Sequence, residues 1–168
     1  MHKPYKIPES VLVVIHSPEL DVLLIERADK PGYWQSVTGS KDTEDEPLQD
    51  TAMREVFEET GIRIVDETSA EQGESNRVSI SNLNNWQLSN VYEIYPVWRH
   101  RYAPGVTRNT EHVFGLLVPR AIPIVLAPRE HINLQWLPYQ EAADKCFSPS
   151  NAEAILQLPK YVRQQGAA

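Results

Sequence analysis

The chain has 168 residues, with 16 Lys and Arg against 23 Asp and Glu for a formal net charge of -7, and it is 41% hydrophobic and 23% charged. A chain of this size buries about 70% of its unfolded surface without disulfides or a structural metal, which predicts one domain over residues 1–168 and excludes disordered, collagenous and disulfide-scaffold classes. The longest early apolar run, residues 11–15, is far short of a membrane span and lacks a signal-peptide layout; the lone Cys146 fits a reducing cytoplasm, and the acidic balance excludes a general nucleic-acid binder.

Residues 10–17 and 22–26, rich in Val, Ile and Leu, predict two β-strands joined as a hairpin by a Pro-containing turn. Residues 34–38 form a short third strand candidate after Pro31-Gly32. A helix fits 47–60, because Pro47 is tolerated in a first turn and Gly61 suits the position just past the end. The polar stretch 66–90, around a short apolar segment at 78–80, reads as a variable, partly mobile connection. Residues 91–98 and 112–118 have β character and flank the Pro104-Gly105 turn, with 122–126 and 135–137 as shorter candidates. Helices are predicted at 139–145 and 151–157, the second capped by Ser150. Strands interleaved irregularly with a few helices predict a mixed sheet covered by helices, of the α+β kind. A doubly wound parallel sheet fits less well, and neither a dinucleotide fingerprint nor a Walker loop is present.

The charge is unevenly placed. Residues 39–62 hold eight acids and two bases, so this segment carries -6 of the total; residues 98–112 hold Arg99, Arg101, Arg108, His100 and His112 against the single acid Glu111. Within the acidic segment, at about 100° per residue, Glu55, Glu58 and Glu59 fall in one arc of about 100°, beside an apolar side of Ala52, Met53, Val56 and Phe57. Unpaired, these like charges repel; a divalent, oxygen-seeking cation would turn that repulsion into binding. A merely solvated acidic face remains the alternative on spacing alone. Arg54, four residues before Glu58, is in reach of an ion pair that would orient it. An EF-hand starting at Asp42 fails, since it lacks the loop glycine and has Met53 where a bidentate acid belongs.

Gly39, Glu46 and the run Arg54-Glu55-Val56-Phe57-Glu58-Glu59-Thr60-Gly61-Ile62 resemble the Nudix box, with one departure: six residues rather than five separate Gly39 from Glu46. A one-residue loop insertion accounts for it. The segments 34–40, 100–112, 129–131 and 148–151 are similar to the branch of that family that removes pyrophosphate from 7,8-dihydroneopterin triphosphate in folate biosynthesis. The resemblance implies an α/β/α sandwich around a mixed sheet. It implies Mg²⁺, with Mn²⁺ as a substitute, held by Glu55, Glu58 and Glu59, with Glu58 as ligand or base and Arg54 as the partner of the box. Glu130 best resembles the family's further carboxylate from outside the box, and Glu111 is the runner-up. Lys6, Arg27, Thr38 and Ser148 correspond by resemblance to ligand contacts.

Arg99, Arg101 and Arg108, concentrated around Pro104-Gly105, are candidate donors to phosphate oxygens. Trp34, Tyr92 and Tyr95 are candidates for stacking on a flat pterin. His16, His100, His112 and His131 show no zinc spacing, so hydrogen-bonded structural roles are expected. No Gly-x-Ser-x-Gly elbow is present, and Cys146 reads as a packed thiol. The expected partner is a small pterin or nucleoside triphosphate, with neither nucleic acid nor membrane, and the oligomeric state is left open. Two alternatives remain: a house-cleaning nucleoside triphosphate pyrophosphatase, and a non-catalytic ligand-binding Nudix module, which the complete set of helix carboxylates disfavours.

Overall fold

The structure, a computed structural model, describes residues 4–71 and 75–166. The chain opens with β1 (Glu9–His16) and β2 (Asp21–Arg27), the expected hairpin, paired antiparallel at His16 and Val22. The third strand divides at Ser36 into β3 (Trp34–Gln35), which pairs with β2, and β4 (Val37–Ser40), which pairs antiparallel with β1. Helix α1 (Leu48–Thr60) follows, with Pro47 extended just ahead of it. Gly61 ends the helix in the left-handed region at φ 76°, where a residue without a Cβ is unstrained, and its N–H donates to the Phe57 carbonyl.

The polar stretch after α1 is more ordered than its composition implies. It contains β5 (Arg63–Val65) and β6 (Arg77–Ser79), paired parallel as a small separate sheet, and a short α2 (Glu67–Glu71). It also starts β7 (Leu83–Glu93), which runs antiparallel to β8 (Arg108–Leu117) at the edge of the main sheet. An edge strand can be polar along most of its length, which hid β7 from a hydrophobic pattern. The part of the expected mobile connection at 72–74 lies outside the described residues.

Four further expectations are corrected. The strand read at 91–98 stops at Glu93, and Pro96–Arg101 is a 3₁₀ turn because Pro96 cannot donate to a ladder. Residues 122–126 are not a strand; Pro119 and Pro123 interrupt pairing, and Ile122, Ile124 and Leu126 instead pack over the core as a loop. Short strand 135–137 extends to β9 (His131–Pro138), which pairs with β2 along its length. After α3 (Tyr139–Lys145), helix α4 (Pro149–Leu156) is capped by Ser148 rather than Ser150. A last helix, α5 (Leu158–Gly166), was not anticipated.

The main sheet is mixed. β1 and β8 run parallel in register from Glu9 opposite Thr110 to His16 opposite Leu117, while the other pairings are antiparallel. On one face Val11, Val13, Ile15, Leu23, Ile25, Phe114 and Leu116 pack with Ala52 and Val56 of α1. On the other, Leu12, Val14, Val22, Leu24 and Val113 pack with Ala142, Ala143, Ala154, Ile155 and Leu158 of α3 to α5. Burial on both faces explains why β1 and β2 read as continuous apolar runs rather than alternating ones. No helix among the described residues is long and apolar enough to cross a membrane.

Candidate active site

The three carboxylates of α1 lie on a gradient of burial. The Glu59 side chain is 4% exposed, Glu55 13% and Glu58 52%, so the arc read from the sequence runs from the core to solvent. Glu59 shares the buried stripe with Ala52, Val56 and Thr60, whereas Phe57, expected on the apolar side, is 42% exposed beneath the Arg63 guanidinium. Gly39 is needed for the site rather than for its turn: a Cβ there would overlap the Glu55 carboxylate.

Arg54 gathers the acids of the box. It donates to Glu46 from Nη2 at 2.9 Å, to Glu55 from Nη1 at 2.8 Å and to the Ser40 carbonyl at 3.0 Å, and lies 3.0 Å from Asp42 and 3.6 Å from Glu58. The Arg54 guanidinium holds Glu46 at a pKa of about 2. Thr51 Oγ1 and the Asp42 N–H also donate to Glu46, so the longer loop between Gly39 and Glu46 still delivers that acid to the arginine. Glu55 stands otherwise: burial pushes it up to about 7 even against Arg54, with Glu58 and Glu130 adding to the shift. Glu59 is raised well above the ordinary carboxylate range by burial, then by Glu55 and Glu130; a Thr38 backbone N–H offsets part of this.

Glu130 and His131 reach Glu59 because β9 begins where β2 ends: Arg27 pairs with His131, and the Ala28 N–H donates to the Glu130 carbonyl. Ligand atoms of Glu59, Glu130 and His131 lie within 4.8 Å of one another. His131, expected in a hydrogen-bonded structural role, has a buried Nδ1 without a partner among the described residues and Nε2 3.5 Å from Glu59 Oε1. Burial and the nearby Arg27 guanidinium lower its imidazole to about 4, so it is neutral. In the sequence it stood out only as the neighbour of Glu130; its contact with Glu59 depends on the pairing of β9 with β2.

A divalent cation fits this donor set. Glu59 Oε2 is sealed from solvent and has no hydrogen-bond partner among the described residues, an arrangement that costs the fold unless something positive completes it. Protons compete for the same carboxyl oxygens, which fixes the sign of a pH effect. Glu55 is largely protonated at pH 6 and ionised at pH 8, so cation affinity is expected to fall as pH drops through 7, by about tenfold per unit for each proton displaced. Calorimetry in buffers of different ionisation enthalpy at pH 6 should show proton release on cation binding; release equal at pH 6 and pH 8 would contradict it.

Cationic side chains face this cluster. Lys6, bridged by its backbone to Tyr102, has its pKa lowered by burial and by Arg101, and Glu55 partly restores it. Arg27 is held by a two-pronged contact with Asp29 at 2.8 and 2.7 Å, and its guanidinium lies 5.7 Å from the Trp98 ring. Arg101 lies 5.9 Å from the same ring. The other two arginines of the cationic segment turn elsewhere: Arg99 donates to the Ile94 carbonyl and faces Glu93, and Arg108 is exposed opposite Glu93 on β7.

Beside Arg27 opens a pocket of about 480 Å³ lined by Lys30, Tyr33, Tyr95, Trp98 and Phe147. Tyr95 was anticipated there; Tyr33, Trp98 and Phe147 were not, since single aromatic residues in loops carry no spacing signal. Trp34 instead packs against the α3–α5 side with the Lys145 ammonium 4.7 Å over its ring. Tyr92 receives a hydrogen bond from Asn109 at 3.0 Å. Thr38 Oγ1 donates to the Val11 carbonyl, and Ser148 Oγ accepts from the Asn151 N–H, so both hydroxyls are engaged by the fold. Cys146 is packed as expected, its thiol pushed up to about 12 by burial.

A mixed sheet between helical layers, with a carboxylate helix docked on one face and an arginine gathering its acids, defines the Nudix class of hydrolases. Residues 6–158 match the NUDIX domain family, and the chain belongs to it. The dihydroneopterin triphosphate diphosphatase of Escherichia coli (strain K12) is 44% identical over 157 residues, covering 93% of this chain and 95% of the relative. The Haemophilus influenzae enzyme of the same name is 36% identical over 152 residues, covering 90% and 87%. The solved E. coli dihydroneopterin triphosphate pyrophosphohydrolase matches with a TM-score of 0.73 and 44% identity, covering 92% of this chain and 97% of that one.

Proposed function

We propose that this Nudix hydrolase, acting as a single domain in the cytoplasm, uses Mg²⁺ to hydrolyse 7,8-dihydroneopterin triphosphate to dihydroneopterin monophosphate and pyrophosphate, with Mn²⁺ able to substitute. The observation that carries the chemistry is the Glu59–Glu130–His131 cluster with Glu55 beside it, set against Lys6, Arg27 and Arg101. The substrate assignment is supported by the 44% identity to the E. coli enzyme across almost the whole of both chains.

Glu55, Glu59 and Glu130 would hold the metal, with Glu58 at the exposed end of the arc. When bound, the metal supplies neutralisation of phosphate charge and a more acidic water. The chain's own groups do the rest. Lys6, Arg27 and Arg101 bind triphosphate oxygens and fix the phosphorus for in-line attack. Arg54 holds the Glu55 carboxylate in place, and Glu58, accessible to solvent, takes the proton from the attacking water. Tyr33, Tyr95, Trp98 and Phe147 offer aromatic faces to a flat ring, with Arg27 at the boundary between ring and phosphates.

The test is a panel of dihydroneopterin triphosphate, common dNTPs and nucleotide sugars, run with and without Mg²⁺ in oxygen-18 water. The expected outcome is fastest turnover of the pterin triphosphate, only with the cation, and label on one phosphate product. Faster turnover of a common dNTP would move the assignment to a house-cleaning pyrophosphatase.

A further inference from the structure

The carboxylate cluster leaves one buried acid unused. Glu111 lies on β8, two residues from Asn109, so both side chains leave the same face of the strand, the face opposite α1 on which Val113 packs. Glu111 is 6% exposed and Asn109 2%. Asn109 spends both amide hydrogens, one on Ser10 Oγ at 2.8 Å and one on the Tyr92 hydroxyl at 3.0 Å, which leaves Oδ1 as a free acceptor. Asn109 Oδ1 and Glu111 Oε1 are both sealed without a partner among the described residues. The residues in register on either side of Glu111 are Ser10 on β1 and Asn90 on β7, neither of them a cation. Burial alone pushes its carboxyl up to about 7, with no hydrogen bond or nearby positive charge to offset it.

An acid in this position costs the fold stability that a Gln or Leu would not. Two acceptors on one face, both without donors, are complementary to a ligand edge made only of donors. A 2-amino-4-oxopyrimidine ring has such an edge: the ring N–H and the adjacent exocyclic amine present donors side by side, matching the two oxygens of a carboxylate, with a remaining amine hydrogen for an amide oxygen. An adenine ring presents an acceptor at the equivalent position and would face the carboxylate with like polarity.

The position suits a ligand that also reaches the phosphate-binding cations. Tyr92 neighbours Tyr102, and the Lys6 ammonium lies 5.8 Å over the Tyr102 ring, within the influence of Arg101, Arg27 and Glu55. The segment that ends at Tyr102 also carries Trp98 into the aromatic pocket, so one stretch of chain runs from the ring-stacking wall to the Lys6 ammonium, with Tyr92 between Tyr102 and Asn109.

We propose that Glu111, with Asn109, is a specificity-determining pair that reads the donor edge of a 2-amino-4-oxopyrimidine ring while the triphosphate lies on the cation side. This deepens the pterin reading above and rests on it for the identity of the natural ring, but not for the chemistry of the edge.

The test compares wild type, Glu111→Gln and Glu111→Leu on three substrates: dihydroneopterin triphosphate, GTP, and ITP, which lacks only the exocyclic amine of GTP. Wild type is expected to have a lower KM for GTP than for ITP. Both variants are expected to lose that preference and to raise KM for dihydroneopterin triphosphate about 10- to 100-fold, with kcat changed less than about threefold and thermal stability kept or increased. A wild type indifferent to the exocyclic amine, or a folded variant that keeps the wild-type KM values and GTP preference, overturns the pair's role even if dihydroneopterin triphosphate is the substrate. Conversely, a GTP preference that is lost in the variants, with no turnover of dihydroneopterin triphosphate by wild type, supports edge reading and refutes the pterin assignment.

Discussion

Replacing Glu59 with Gln should remove hydrolysis almost completely while leaving the fold intact or slightly more stable. The two halves of that expectation have one cause. Glu59 is the most buried of the helix carboxylates, and its Oε2 finds no hydrogen-bond donor among the described residues, so without a cation it burdens the protein. Gln has the same shape and no charge to desolvate. In the proposed site a divalent cation held together with Glu55 and Glu130 would offset that burden, and the Gln side chain would forfeit the cation's contribution to the transition state. A loss of about 4 kcal/mol of transition-state stabilisation corresponds to about a thousandfold in rate.

Pyrophosphate release measures the first half of the expectation. Thermal melts with and without cation measure the second: wild type should gain melting temperature with added Mg²⁺, and Glu59→Gln should start as high or higher but gain little. Undiminished hydrolysis of the substrate, or an equal gain in melting temperature, would remove Glu59 from the metal site. A non-catalytic binding module would lose the melting shift without ever having had the turnover, so the pair of measurements also separates that alternative.

The site was legible in the sequence where function depends on one regular element. Helical spacing put Glu55, Glu58 and Glu59 on one arc, and the structure turns that arc into a gradient of burial that spacing could not reveal, because burial depends on which part of the arc the sheet covers. The strands with two buried faces were legible for a similar reason: β1 and β2 carry the unbroken apolar runs 11–15 and 22–25. Most of β7 was hidden because an edge strand meets few apolar neighbours, and α5 because Pro159, tolerated in its first turn, reads in sequence as a stop after α4. The aromatic pocket was largely invisible. Tyr33, Trp98 and Phe147 come from three separate connections, and only the tertiary fold brings them together. The same holds for His131, which meets Glu59 through strand pairing across a long stretch of sequence. Gly39 shows a subtler case: its place in the motif was apparent, but its physical reason, room for the Glu55 carboxylate, exists only once α1 has docked.

Arg54→Ala is the second large effect, and it should separate positioning from ligation. The Arg54 side chain is 22% exposed and its guanidinium touches Asp42, Glu46, Glu55 and Glu58 as well as the Ser40 carbonyl, so its removal leaves a group of acids without their shared counter-charge. Because part of this group is open to solvent, the expected loss of stability is about 2 kcal/mol rather than that of a sealed pair. Its pH dependence follows from Glu46, whose folded pKa of about 2 lies below the ordinary 4.5. A depressed carboxyl stabilises the fold above its unfolded pKa and loses that contribution as pH falls through the folded one. The deficit of Arg54→Ala should therefore be full at pH 7 and shrink between about 4.5 and 2. On catalysis the direction is opposite in pH: without the guanidinium, burial raises Glu55 further above about 7, so the variant should need more Mg²⁺ for half-maximal rate and a higher pH for its optimum. Displacement of the carboxylate by even an ångström should add about a hundredfold loss in rate. Arg54→Lys, which keeps one charge but cannot meet Glu46, Glu55 and the Ser40 carbonyl together, should fall between the two. A variant that melts like wild type at pH 7 and retains its Mg²⁺ dependence would show that the acids of the box hold their places without the arginine.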